Sequence, residues 1–312
     1  MKRTFLSLFA AIAFGVCVMA QDNRVATLLH GSNIQAFYGG DALLAAHEAA
    51  VDGDIITLSI GEFNSCDITK AITLRGEGMF QTSLLSSITF TIPHGSTHTL
   101  TLEGLGFTHD DQRVRINGTD GTERAVISKC YFYQRNASLD LTNCNATIVQ
   151  CRFYPSVNAE ICAYKNSSVV CLNSILTTVN GYNNAHYDIQ NCIVGSFGSK
   201  YSSIKNSIIK ERTSLDATNT SSHCLVYQGS GFTNSWSVDS WDNIIEGGWN
   251  WWGLFHLTEE AAATYFGTDG TQVGIHGGMY PWDTTPDYPL VKRLDVIGSH
   301  KDGKLNVKIN VE

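Results

Sequence analysis

A six-residue pattern recurs through the middle of the chain: apolar, any residue, a polar or glycine position, small or apolar, any residue, bulky apolar. It reads LEGLGF from Leu102, ISKCYF from Ile127, IVQCRF from Ile148, CLNSIL from Cys171, IQNCIV from Ile189 and IKNSII from Ile204. Looser copies are LRGEGM from Leu74 and YQGSGF from Tyr227, and successive copies start 28, 25, 21, 23, 18, 15 and 23 residues apart. An imperfect period of about twenty predicts a solenoid in which each supersecondary unit stacks on the last.

Each copy predicts strand, turn, strand, with its first and last apolar residues pointing inward. The third position is Asn at 173, 191 and 206 and Gly at 76, 104 and 229. These two residue types enter the left-handed conformation of a tight corner at least cost. Stacking sets the three Asn about 4.8 Å apart, with their amides bonding along the ladder. Gly and Asn at corners with Ile, Val, Phe and Cys inside predicts an all-β fold, a parallel β-helix. LTNCNA from Leu141 also fits, only seven residues before Ile148, and the 15-residue step is short for a three-sided coil. One of the copies at Ile189 and Ile204 is therefore open to reassignment.

The ends have their own patterns. Asp41 as N-cap, followed by ALLAAHEAAVDGD, predicts a helix with Leu43, Leu44, His47 and Val51 near one face, ended by Gly53. It would cover the N-terminal end of the core, and DIITLSIGEF follows as the first strand. Pro281, Pro286 and Pro289 mark a linker near DTTPDYP. VKRLDVIG and KLNVKINVE then predict a small β-hairpin against the last coils, Leu305, Val307, Ile309 and Val311 sharing one face. A sorting or anchoring tail is the alternative.

Lys2, Arg3, the apolar run Phe5 to Val18 and the small residues of Val18-Met19-Ala20 read as a secretory signal. Cys17 raises a lipoprotein alternative, with Phe14-Gly15-Val16 a poor lipobox. The expected organisation is a signal peptide over 1–20, a β-helix with N-terminal cap over 21–282, and linker plus hairpin over 283–312. The product would be periplasmic, surface-exposed or secreted, a monomer, and not an integral membrane protein. Without Lys2 and Arg3 the chain carries 19 basic against 29 acidic residues. That balance disfavours nucleic acid, whose phosphates demand clustered Lys and Arg. A surface with few charges and many Ser, Thr and Asn suits neutral carbohydrate at least as well as protein.

Eight cysteines follow the signal segment. Cys130, Cys151 and Cys192 share the fourth repeat position and Cys171 the first, which favours packed free thiols. If a bridge forms, Cys130–Cys151 is the best-placed pair. No CxxC or His-spaced cluster suggests a metal, and no cofactor is expected.

AHEAAVDGDIITLSIGEFN with ITKAITLRGEG from Ile68 resembles the opening of the pectin lyase-like right-handed parallel β-helix superfamily. DGTQVGIHGGMYPW, Asp269 to Trp282, resembles the closing coil of many exported bacterial members. The resemblance spans about residues 38 to 282 and implies a right-handed parallel β-helix. That fold hosts lyases, hydrolases, esterases, adhesins and proteins of no known activity. The NTD triplet, GHG and RIK of polygalacturonase-like hydrolases are missing; Asp110-Asp111 is present, and His276 sits in IHGG instead. The dense carboxylate cluster of calcium-dependent pectate lyases is missing too.

Two constellations remain. In RVRI, SLDLT and AEICA, alternation sends Arg115, Asp140 and Glu160 outward, forming a column if the strands lie on consecutive coils. Such a column is an acid/base site, a sugar-binding rail or a surface salt-bridge ladder, with His109, Asp110 and Asp111 on the preceding loop. All six Trp lie between 236 and 282, three of them in GGWNWWGLFHL. Trp249, Trp251 and Trp252 either stack on sugar faces or plug the C-terminal end of the solenoid. The favoured function is a non-catalytic, glycan- or surface-binding protein of the cell envelope. A polysaccharide lyase or glycoside hydrolase working along the first sheet, with Arg115, Asp140 and Glu160 catalytic, is the runner-up, and a structural spacer the third class.

Overall fold

Alternate residues of each short strand turn inward, as the period-two pattern requires. Ala125 and Ile127 are buried on one coil, Ala146 and Ile148 on the next, Val169 and Cys171 on the third, and Tyr187 and Ile189 on the fourth. The computed structural model describes residues 24–109, 112–133, 138–154 and 160–285, and the backbone of the strands Val291–Val296 and Val307–Val311. Residues 1–23, where a signal peptide is expected, Asp110-Asp111, most of the expected linker and the SHKDG segment lie outside the described residues. Within them the chain is a parallel β-solenoid. Nine strands stack in parallel on a first face, from Ile55–Leu58 to Thr220–Ser222. A second face runs from Gly61–Phe63 to Trp236–Val238. A third holds Ile88–Thr91, Arg113–Asn117, Ser138–Thr142 and Glu160–Tyr164, and merges into the long second-face strand Ile175–Gly181.

The repeat's third position makes the corner between first and second faces. Gly104, Lys129, Gln150, Asn173, Asn191, Asn206 and His223 all have φ between +45° and +64°. Each donates its N–H to the next coil, as in Lys129 to Val149 O (3.0 Å) and Asn206 to Ser222 O (3.0 Å). His223 reveals a copy hidden from the pattern, SSHCLV from Ser221, in register with Ile204 and Ile209. YQGSGF is not a copy: Leu225–Tyr227 is already a second-face strand, and Gln228, not Gly229, is left-handed. Both disputed copies are real, because Ile189 pairs with Ile204 and Ile193 with Ile208. That coil is short because it passes from Ile193–Phe197 straight back to Ser203–Lys205. LTNCNA marks a second corner of the same shape, Asn143 at φ +50° between third and first faces.

Inside the corner, the fourth position forms a ladder of Ser and Cys. Cys130 N–H donates to Cys151 Sγ (3.5 Å), Cys151 N–H to Ser174 Oγ (3.1 Å), Ser174 N–H to Cys192 Sγ (3.5 Å) and Cys192 N–H to Ser207 Oγ (3.1 Å). Every rung satisfies a buried N–H that the corner removes from the sheet. The eight cysteines are free thiols. The sixth position stacks Phe107, Phe132 and Phe153, ring centroids 4.9 and 4.4 Å apart.

At the N-terminal end the first face begins with an antiparallel hairpin, Val25–His30 with Asn33–Tyr38, which the sequence pattern did not announce. The helix Ala42–Ala49 lies against it and against Ile55–Leu58. Ala42, Leu43, Ala46 and His47 are its buried residues; Leu44 and Val51 are exposed, a one-residue error in the inferred face. Asp41 starts this helix without a side-chain cap bond and accepts from Asn64 Nδ2 instead (2.7 Å).

The expected Asn amide ladder does not form: the Asn173 and Asn206 amides serve another segment, and Asn191 Nδ2 is buried without a hydrogen-bond partner. Residues 268–285 run down the corner as a strap, passing earlier coils as they go. Asn206 Oδ1 accepts from Thr268 N (2.9 Å); Asn173 Nδ2 donates to Ile275 O (2.9 Å) and Gly277 O (2.6 Å). Gln150 Nε2 donates to Pro281 O (2.6 Å), and buried Lys129 Nζ to Thr285 O (2.5 Å), with Asp283 at 3.9 Å. Glycines at 277 and 278 allow this closeness: a Cβ there would come within 2.9 and 2.7 Å of the Asn191 amide. Val291–Val296 and Val307–Val311 pair antiparallel. Among the described residues no helix is long and apolar enough to cross a membrane.

Candidate functional site

The inferred charged column assembles in part. Arg115 stands in register with Asp140, but Asp140's next neighbour is Cys162, followed by Asn180. Glu160 lies two residues away along the same strand, opposite Ser138 and Thr178. The strand starts later in register than the sequence implied, so both Glu160 and Cys162 face outward and the thiol takes the carboxylate's place. Glu160 Oε2 accepts from Asn180 Nδ2 (3.1 Å) and from Cys162 Sγ (3.3 Å). Burial, reinforced by Glu160, pushes the Cys162 thiol up to about 12, so it is no nucleophile near neutral pH. Below this row Tyr164 stacks on Tyr182, centroids 5.2 Å apart. His109 is exposed on the preceding loop.

The tryptophans occupy a flank of the solenoid and do not plug its end. At the repeat's fifth position the second face shows Gly106, Tyr131 and Arg152, then Ile175, Ile193, Ile208 and Leu225. The last four form an outward apolar stripe, and Trp241, Ile245, Phe255, Leu257, Val273 and Ile275 close over it as a second core. Trp249 and Trp251 pack at its margin, partly buried. Trp251 lies over Gly195, where a Cβ would be 3.2 Å from the ring, and its carbonyl accepts from the Arg152 guanidinium.

Trp252 is turned out, 55% exposed. Beside it, on consecutive coils, stand Tyr154 (centroid separation 4.6 Å) and Tyr133 (6.2 Å), themselves 4.5 Å apart. Tyr131 and exposed Phe80 extend this row, at 5.6 Å from Tyr133 and 5.0 Å from Tyr131 respectively. The Arg152 guanidinium lies 5.9 Å from the Trp252 ring and braces it from below. Of the three inferred tryptophans, then, only Trp252 offers an open ring to a ligand. The tyrosines escaped notice because each lies one residue past the repeat's inward Phe132 or Phe153, on separate coils that only stacking joins. Past Trp249 a cleft of about 620 Å³ opens, lined by Tyr227, Trp241, Lys210, Arg212, Asp239 and Asp242 among others.

Comparison with protein-family models, curated proteins and solved structures finds no match for this chain. The repeat and the site geometry therefore carry the functional argument.

Proposed function

We propose that this protein is a glycan-binding β-solenoid, exported to the cell envelope by its first twenty residues and built as a right-handed, pectin lyase-like β-helix capped by the helix Ala42–Ala49. The observation that carries the reading is the contiguous, partly open aromatic surface of Tyr133, Tyr154 and Trp252. Apolar sugar faces stack on such rings, and the edges leave sugar hydroxyls free to meet water or neighbouring polar groups. The surplus of carboxylates over basic residues favours a neutral glycan over a strongly anionic one. The nearby cleft past Trp249 supplies a second apolar floor with charged walls.

A carbohydrate-active enzyme is the second reading, supported by Arg115 beside Asp140 on the third face. A panel of neutral and acidic polysaccharides, assayed for retention and for new reducing ends or unsaturated uronates, separates the two. Retention without turnover, unchanged in Asp140→Asn and weakened in Trp252→Ala, is the expected result. Turnover abolished by Asp140→Asn, or retention indifferent to Trp252, contradicts it.

A further inference from the structure

A histidine and two carboxylates converge at the corner where the third face returns to the first. His94 lies on the loop before Leu100–Glu103, while Asp120 and Glu123 lie on the corresponding loop one coil later, before Arg124–Ser128. His94 Nδ1 is 3.3 Å from Glu123 Oε1 and 3.8 Å from Asp120 Oδ2, and one ligand atom from each residue lies within 4.8 Å of the others. No local sequence motif announces the trio, because His94 and Glu123 are 29 residues apart and meet only through coil stacking.

We propose that His94, Asp120 and Glu123 bind a divalent cation of the zinc class. One imidazole nitrogen and two carboxylates suit such an ion, and three protein ligands leave a position for water. Donors bound at about 2.0–2.1 Å in a tetrahedron stand about 3.3 Å from one another, so only small movements are needed. Two features other than the donors' proximity point the same way. The Glu123 side chain is fully buried yet anchored, its Oε2 accepting from the Asp120 backbone N–H (3.3 Å). One ligand is thereby held in position before any metal arrives. The His94 side chain is 65% exposed, and it nonetheless directs Nδ1 inward at the carboxylates. An ion there would offset the charge of the buried carboxylate and would tie two successive coils together.

The test is calorimetric titration of the chelator-treated full chain with Zn(II), alongside Co(II) absorption spectroscopy, Ca(II) and Mn(II) serving as comparisons. One ion per chain is expected, with tetrahedral Co(II) bands and a Zn(II)-dependent rise in melting temperature. His94→Ala changes an exposed side chain and should fold normally, yet weaken Zn(II) binding at least tenfold and abolish the stabilisation; Asp120→Asn should weaken it as well. Absence of saturable binding, or equal affinity in wild type and His94→Ala, overturns the proposal.

Discussion

At each coil's corner one residue holds a left-handed backbone, and the solenoid admits Lys129, Gln150 and His223 there as readily as Asn. Non-glycine residues pay of order 1 kcal/mol or more for that conformation. At Lys129, Gln150, Asn173 and Asn206 the side chain offsets it by binding the strap, whereas His223 bonds Ser222 Oγ and packs on Trp236. Asn206→Gly keeps the corner's freedom while removing the amide that holds Thr268. The expected cost is about 1–2 kcal/mol, with faster hydrogen exchange at Thr268 and little change in the coils; unchanged exchange there would show that the strap does not depend on this contact. The Ser/Cys ladder makes a second residue-level prediction. Cys192→Ser should cost less than about 1 kcal/mol, since Ser174 and Ser207 already fill equivalent rungs, whereas Cys192→Val strands the Ser174 N–H and should cost about 1–3 kcal/mol in chemical denaturation. The sequence made this position legible as small and buried. It could not show which neighbour each thiol satisfies, because that partner lies one coil away.

Coils were legible wherever their inward residues were apolar, and lost where one was not: Ser221 at an inward position hid the copy that His223 exposes. The outward stripe Ile175, Ile193, Ile208 and Leu225 was also in plain view at a position treated as free, and it foretold that something must cover the second face. Truncating Ile193 to Ala should cost about 2–4 kcal/mol, as for a core residue; a cost near zero would mean that the Trp-rich segment does not seal that face. The covering segment also holds stacked His256 and His276, ring centroids 4.1 Å apart. Burial, and secondarily the neighbouring His256, hold His276 below its usual range, outweighing its bond to Leu254 O. Burial and then Lys70 lower His47 in the same way. With folded values depressed, the unfolded chain takes up protons first, so stability present above the ordinary histidine range declines as pH falls through it. Melting temperature should fall between pH 7.5 and 5, and His276→Gln should flatten that slope; a pH-independent melt would contradict the assignment.

For the whole molecule, the strap and second core do more than close the fold. They carry Trp252 to the coils that bear Tyr133 and Tyr154, and Arg152 fixes it there through the Trp251 carbonyl. Composition placed carbohydrate among the suitable partners, and the tryptophan cluster pointed to the segment that carries the exposed Trp252 ring. Which ring stays open depended on how that segment folds back, information spread over more than a hundred residues of separation. The most direct measurement of the central claim is a titration of wild type, Trp252→Phe, Trp252→Ala and Tyr154→Ala with the polysaccharide that the wild type retains best. The account predicts affinity in the order wild type, Trp252→Phe, Trp252→Ala, with each full ring removal costing about 1 kcal/mol or more and melting temperatures nearly unchanged. Equal affinities across the series, in folded proteins, would contradict it.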